Sequence, residues 1–383
     1  MSSPSQWPGL SPAIKSRMLT INDLEMHILE ASAPSTVAKP QLVVLLHGFP
    51  ELAYSWRKIM GPLSGAGYHV VAPDQRGYGR TKSVQSEYPV KYEDDVNQYR
   101  MTNLVKDVVA LVYTLGYDSV AAVVGHDFGS PVAAYCALIR PDLFKSVAMM
   151  SSPFTGPPKL GKPAMDLTKV AQSLAALDPP RKHYVLYYST PEANTHIMSA
   201  PSGLQAFLRE YYHVKSADWE PNAPHPLAAP EAAVMAELPH YYVMLKHQTM
   251  PEAVHGFGPS AAEIARNAWL PDEELGVYVA EYTRTGFQGG LNSYRMGTTP
   301  GWSSDRELFS GKQIEVPAMY MAGKQDWGTY QFPGAVDAMR SQACKNMEDF
   351  VLVDGAGHWA QQEQPEAVVE QLLRFFSKCA KLL

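Results

Sequence analysis

Residues 125–129 read Gly-His-Asp-Phe-Gly. The pattern Gly-x-Asp-x-Gly has the form of a sharp strand-to-helix turn that pushes its central side chain out over the end of a sheet. The stretch before it, Val120 to Val124, is β-branched and apolar, as a buried strand is, and stops at Gly125. The Ala-rich stretch Gly129 to Ile139 reads as the helix that follows. Ser usually occupies the centre of such a turn, and Asp127 changes the chemistry available there. A carboxylate can attack a saturated carbon and form an ester, which water then splits. A serine doing the same would leave an ether with no easy exit. Asp is also a favoured helix N-cap, so the turn alone does not separate an attacking carboxylate from a capping one.

Two further residues complete a possible constellation. Asp326 follows the apolar run Val316 to Ala322, and His358 follows Asp349 to Val353 through Asp354-Gly355-Ala356-Gly357. Open α/β sheets place their sites just past the C-terminal ends of parallel strands. There Asp326 would fix the tautomer of His358, and His358 would activate the water that splits the ester. Water attacking an ester carbonyl develops an oxyanion, which needs donors. The backbone N–H groups of Phe49, in the loop after Leu46, and of Phe128 are the candidates. His47 and His126 are read as loop-organising hydrogen bonders rather than catalysts.

The elements that must position these groups follow from periodicity. Met18 to Ala31 alternates loosely and reads as an edge hairpin. Leu42 to Leu46, His69 to Ala72 and Ser146 to Met150 are apolar runs of strand length, continuous as in strands buried on both faces. Between them, Ala53 to Met60 begins a helix. Leu104, Val105, Val108, Val109 and Val112 mark one face of another, starting near Met101 and stopping at Gly116. The loop Asp74 to Gly79 lacks the spacing of a dinucleotide or phosphate cradle, and Asp74 and Arg76 are expected to pair structurally. Strand–helix alternation of this kind predicts an α/β fold with a mostly parallel, doubly wound sheet.

After Pro153 the alternation stops. Residues 154–307 show helical stretches (Leu204 to Val214, Ala232 to Lys246, Glu273 to Thr285), many prolines and dense aromatics. This segment is expected to be a helical cap, with residues 1–153 and 308–383 forming the core domain. Pro365 then opens a final helix with Val368, Val369, Leu372, Leu373 and Phe376 on its apolar face.

Composition narrows the classes. The chain has 383 residues, 46% of them hydrophobic and 18% charged, with a net charge of -6. That balance argues against a nucleic-acid partner, which would want a basic face. No apolar run approaches the roughly 20 residues of a membrane span. The first residues lack a basic-then-apolar signal pattern. Cys136, Cys344 and Cys379 fit no metal or disulfide spacing. A cytoplasmic location is the expectation.

Taken together, His47-Gly48-Phe49-Pro50, Gly125-His126-Asp127-Phe128-Gly129, Gly286 to Arg295 and Gly357-His358-Trp359 resemble the soluble epoxide hydrolases of the α/β-hydrolase fold. The order Asp127, Asp326, His358 is that fold's order of nucleophile, acid and histidine. The resemblance runs from about residue 18 to the C-terminus and is weakest in the middle of the cap. It implies conversion of an epoxide and water to a vicinal diol through a covalent Asp127 ester, with no cofactor and no metal. It also implies two cap tyrosines that hold and protonate the epoxide oxygen. One maps onto Tyr294. The other falls in His183 to Tyr188, where Tyr184 is the best match and Tyr187 competes. Phe154, Trp359, Met244 and the tyrosines would give a small apolar or aromatic epoxide its pocket. Haloalkane dehalogenases share the Asp–Asp–His scheme but hold halide with a Trp indole after the nucleophile, where this chain has Phe128. Fluoroacetate-type dehalogenases place arginines there, where this chain has Gly129, Ser130 and Pro131. A catalytically silent member of the fold would usually lack part of the triad.

Overall fold

The computed structural model describes residues 7–84, 88–161, 167–299, 301 and 303–382. Residues 162–166, 300 and 302 of the expected cap, residues 85–87 and the terminal residues 1–6 and 383 lie outside them. The main sheet contains β1 (Ile14–Ile21), β2 (Leu24–Ala31), β3 (Gln41–Leu46), β4 (Tyr68–Pro73), β5 (Lys82–Ser83), β6 (Ala122–His126) and β7 (Val147–Met150). After a helical insert carrying β8 (Arg181–His183) and β9 (Val243–Leu245), β10 (Ala318–Gly323) and β11 (Met347–Val353) complete it. The order is β1-β2-β4-β3-β6-β7-β10-β11, with β5 beside β2. The pairs β1–β2 and β2–β4 are antiparallel, and β4 through β11 run parallel.

Side chains alternate between the faces of a strand, and the packing divides accordingly. Val43, Leu45, Val124, Ala148, Met319 and Met321 pack with Ile59 and Leu63 of the helix Arg57–Gly65 and with Leu372 and Phe376 of Pro365–Ala380. Their neighbours Val44, Leu46, Val123, Val147, Met149 and Tyr320 pack with Val108 and Leu111 of Met101–Thr114 and with Val132 and Tyr135 of Gly129–Ile139. Both faces are covered, so these strands are buried and nearly continuous in their apolar character.

Register decides where the chemistry gathers. His126 lies opposite Met150, Met150 opposite Met321, and Gly323 opposite Val353. The segments following β6, β7, β10 and β11 therefore leave the sheet along one edge. Above that edge, the insert between β7 and β10 builds its own cluster around Tyr184, Tyr188, Tyr211, Tyr212, Tyr242 and Tyr294, which Phe49, Trp327 and Trp359 join from the sheet side.

Several expectations need correction. The N-terminal hairpin begins at Ile14, and β2 pairs with β4 on its far side, so β1 alone is the edge strand of that pair. β6 runs on through Gly125 to His126. Ala232 to Lys246 is not one helix: a single turn, Ala232–Met235, is followed by β9, which pairs with β8. Pro239 cannot continue a helix, and Tyr241, Tyr242 and Val243 suit a strand. Asp74 and Arg76 do not pair with each other. Asp74 bonds His27 Nδ1 at 2.7 Å and accepts the N–H groups of Ala53 and Arg80, while Arg76 spans Asp23 and Asp107. Among the described residues no helix is long and apolar enough to cross a membrane.

Candidate active site

The turn at Asp127 is built from close backbone approach. A Cβ on Gly125 would lie 2.0 Å from the Gly129 carbonyl oxygen, and one on Gly129 would lie 2.2 Å from that of Leu46. Only glycine permits this packing of β6, the helix behind it and β3. Asp127 itself takes φ 50°, a left-handed conformation that costs a non-glycine residue energy and recurs at functional sites. Its N–H donates to Met150 O at 3.1 Å, fixing the turn to β7. Its carboxylate Oδ1 accepts the Phe49 N–H at 2.9 Å. The Asp127 side chain remains 15% accessible, against 2% for both Asp326 and His358.

His358 meets both acids. Its Nε2 lies 3.6 Å from Asp127 Oδ2, and its Nδ1 lies 3.0 Å from Asp326 Oδ1. The first separation exceeds a hydrogen bond, and Nε2 has no hydrogen-bond partner among the described residues. Asp326 is held by the Gly328 N–H at 2.7 Å on Oδ1 and by the Ser151 hydroxyl on Oδ2. Burial works against its charge, but His358, Ser151 and Gly328 outweigh it and keep the acid below the ordinary carboxylate range. An anionic Asp326 accepts the imidazole proton on Nδ1, and Nε2 faces Asp127.

Ser151 is a member of the site that the sequence reading missed. It stands just past β7 at φ 69°, with Oγ 2.8 Å from His358 Nδ1. The signal was present: a serine directly after the strand neighbouring the Asp127 turn.

A buried ion pair supports the turn from beneath. Glu51 accepts from Gly48 N–H at 3.0 Å and from Gln361 Nε2 at 2.8 Å, and it bonds His126 Nδ1. His126 Nε2 donates to the His358 carbonyl at 2.7 Å. Burial opposes the imidazolium, but Glu51 overrides it and lifts His126 to about 9. His47 organises its loop, Nδ1 to Gly48 O at 2.9 Å and Nε2 accepting the Gln75 N–H at 3.1 Å.

Over Asp127 stands an aromatic roof. The Tyr184 and Tyr294 rings are 5.8 Å apart, both contacting Tyr188, and Phe49 and Phe128 lie 5.4 and 6.1 Å from Tyr294. Burial and then the Asp127 carboxylate raise both tyrosines well above the ordinary phenol value, so they keep their protons. Tyr187 turns away, stacked on His196 at 6.1 Å. Trp359 sits 4.6 Å from the His358 ring and donates its indole N–H to Tyr212 O at 2.8 Å. Met244 lies in β9 within the insert's buried cluster.

Phe154 does not line the site. It packs 5.1 Å from Tyr135, in the cluster between sheet and helices. At the start of the insert the chain is still covering the sheet, and a ring there finds the Gly129–Ile139 helix first. Conversely, Lys215 was not anticipated. Its buried ammonium sits 4.9 Å from the Tyr242 ring and 5.2 Å from that of Tyr211. Burial works against the Asp127 carboxylate, but His358, Lys215 and His126 together hold it well below the usual range.

The site thus presents a reachable, ionised carboxylate, an imidazole nitrogen 3.6 Å from it, and two protonated phenols overhead. The chain as a whole is similar to known proteins. A family model for the alpha/beta hydrolase fold matches residues 41–192. Epoxide hydrolase A of Mycobacterium tuberculosis is 31% identical over 365 residues, covering 94% of this chain and 97% of that protein. Epoxide hydrolase 3 of Siraitia grosvenorii is 30% identical over 364 residues, with the same two coverages, 94% and 97%. Among solved structures, an epoxide hydrolase from an endophytic Streptomyces superposes with a TM-score of 0.76 at 28% identity, covering 97% of each chain. Potato (Solanum tuberosum) epoxide hydrolase I gives 0.71 at 28% identity, covering 95% of this chain and 99% of that one. With this turn, this order of acids and histidine and these relatives along nearly its whole length, the chain belongs to the epoxide hydrolase family of the α/β-hydrolase fold.

Proposed function

We propose that this epoxide hydrolase works through a covalent ester on Asp127. A carboxylate oxygen of Asp127 attacks one epoxide carbon, and the C–O bond of the ring breaks. Tyr184 and Tyr294 hold the ring oxygen and supply the proton it needs, because an alkoxide is a poor leaving group. Water then gives a proton to His358 Nε2 as its oxygen attacks the ester carbonyl. The oxyanion that develops is met by the N–H groups of Phe49 and Phe128. Collapse expels the diol oxygen, which takes the proton back from His358, and the proton left on the Asp127 carboxyl returns to the tyrosinate, restoring the carboxylate and both phenols. Asp326 and Ser151 hold the imidazole proton on Nδ1 throughout. Residues 1–153 and 308–383 act as the catalytic core and residues 154–307 as its cap. The aromatic roof favours a small apolar or aromatic epoxide, with water as the second substrate.

One observation carries this reading: Asp127, at the strained centre of the turn, is reached by Phe49 N–H at 2.9 Å and faced by His358 Nε2 at 3.6 Å. The test is a pair of variants. Asp127→Ala is expected to lose diol formation and form no adduct. His358→Gln is expected to form the ester and retain it. Diol formation at the wild-type rate in either variant would exclude the mechanism.

A further inference from the structure

We propose that Glu363 is the positioning residue that sets His358 for ester hydrolysis, by clasping the backbone on both sides of the histidine to a strap of the insert. Glu363 ends the short helix Ala360–Glu363, one turn after the histidine. Its Oε2 accepts the N–H of Gly357 at 2.9 Å, and its Oε1 accepts that of Trp359 at 2.9 Å. The same Oε2 accepts the Ala217 N–H at 2.8 Å, from the insert. The remaining amide of the tripeptide, that of His358, donates to Lys215 O at 2.8 Å. All three N–H groups of Gly357-His358-Trp359 are therefore engaged, two by Glu363 and one by the strap that Glu363 also holds.

The strap lies close enough to demand glycine opposite it. A Cβ on Gly357 would come within 2.4 Å of the Ser216 carbonyl carbon and 2.6 Å of Lys215 O. The three partners of the carboxylate are neutral backbone groups, so its work is geometric: a planar, two-oxygen acceptor serves three donors at once. It is partly buried and lines a surface cleft of about 450 Å³ with Lys58, His213, Asp218 and Arg266.

This arrangement predicts an effect on one step. Attack on the epoxide uses Asp127, Tyr184 and Tyr294, none of which touches Glu363. Ester hydrolysis needs His358 Nε2 at the right angle to a water and the ester carbonyl, and His358 hangs from the clasped segment. Small misplacements of such a base are costly.

The inference rests on the ester mechanism above, and the experiment separates the two. Single turnovers of styrene oxide are followed by rapid quench and intact-protein mass for wild type, Glu363→Gln and Glu363→Asp. Gln keeps the shape but replaces one acceptor oxygen with a donor; Asp keeps the charge but draws the oxygens back. Ester formation is expected to stay within about threefold of wild type in both variants, while its hydrolysis slows by about tenfold or more, so that the adduct accumulates. Equal loss of both steps, or loss of neither, in the variants that fold would overturn the role of Glu363. Turnover by wild type with no adduct on Asp127 at any time would instead remove the ester mechanism, and this role with it.

Discussion

The sheet edge and the helical insert reach the same site by different physical means. At the sheet edge the contributions are fixed by backbone. Asp127 is held by a strained turn and by its N–H on Met150, Ser151 by a left-handed turn, and Asp326 by a bond from Gly328. In the insert the contributions come from rings: Tyr184 and Tyr294 are held by neighbours 5 to 6 Å away. Ladder registers and glycine contacts admit almost no adjustment, whereas ring packing can shift with the size of what it encloses. The core should therefore govern whether the reaction runs, and the insert should govern on what it runs and how fast the ring opens.

The sharpest division between the two regions is by reaction step. Tyr184→Phe and Tyr294→Phe remove a proton donor while leaving the ring. Each is expected to slow ester formation by about 100-fold, and the double variant by more, with ester hydrolysis unchanged. Rapid-quench kinetics check this, and slowed hydrolysis in either single variant would break the division.

A second comparison uses Phe154, which begins the insert in sequence but packs with the core. Phe154→Leu is expected to cost about 1 kcal/mol of stability through imperfect packing against Tyr135. The ratio of kcat/KM for alkyl and aryl epoxides should not change. Urea unfolding and a substrate panel read both. A changed preference would return Phe154 to the pocket.

A third difference lies in the buried pair under the turn. Folding raises His126 from 6.5 to about 9, because Glu51 prevails over burial. A raised histidine contributes stability that is complete below the unfolded value and is lost as pH climbs through the folded one. Thermal unfolding should therefore show stability falling between pH 6.5 and about 9, a slope that Glu51→Gln removes. An identical slope in that variant would assign it elsewhere.

What was legible in the sequence follows the same line. Apolar runs and the glycines around Asp127 and His358 are local signals, and the structure brings Asp127, Asp326 and His358 together at one edge. Tyr184 and Tyr294 were reached by resemblance, and ring contacts place Tyr184 rather than Tyr187 beside Tyr294. Ser151 and the Glu51–His126 pair were not read, because their partners lie far along the chain: Ser151 meets Asp326, and Glu51 meets Gln361. The insert was hardest for this reason. Its aromatic residues carry little period, so β9 passed for a helix and Phe154 for a pocket residue.

The most direct test of the central claim is a single turnover of styrene oxide in oxygen-labelled water, with peptide mass spectrometry of the enzyme afterwards. An ester on Asp127 predicts unlabelled first-turnover diol oxygen and one labelled oxygen on the peptide that contains Asp127. Labelled diol with an unlabelled peptide would mean that water attacks the epoxide directly, and would contradict the account.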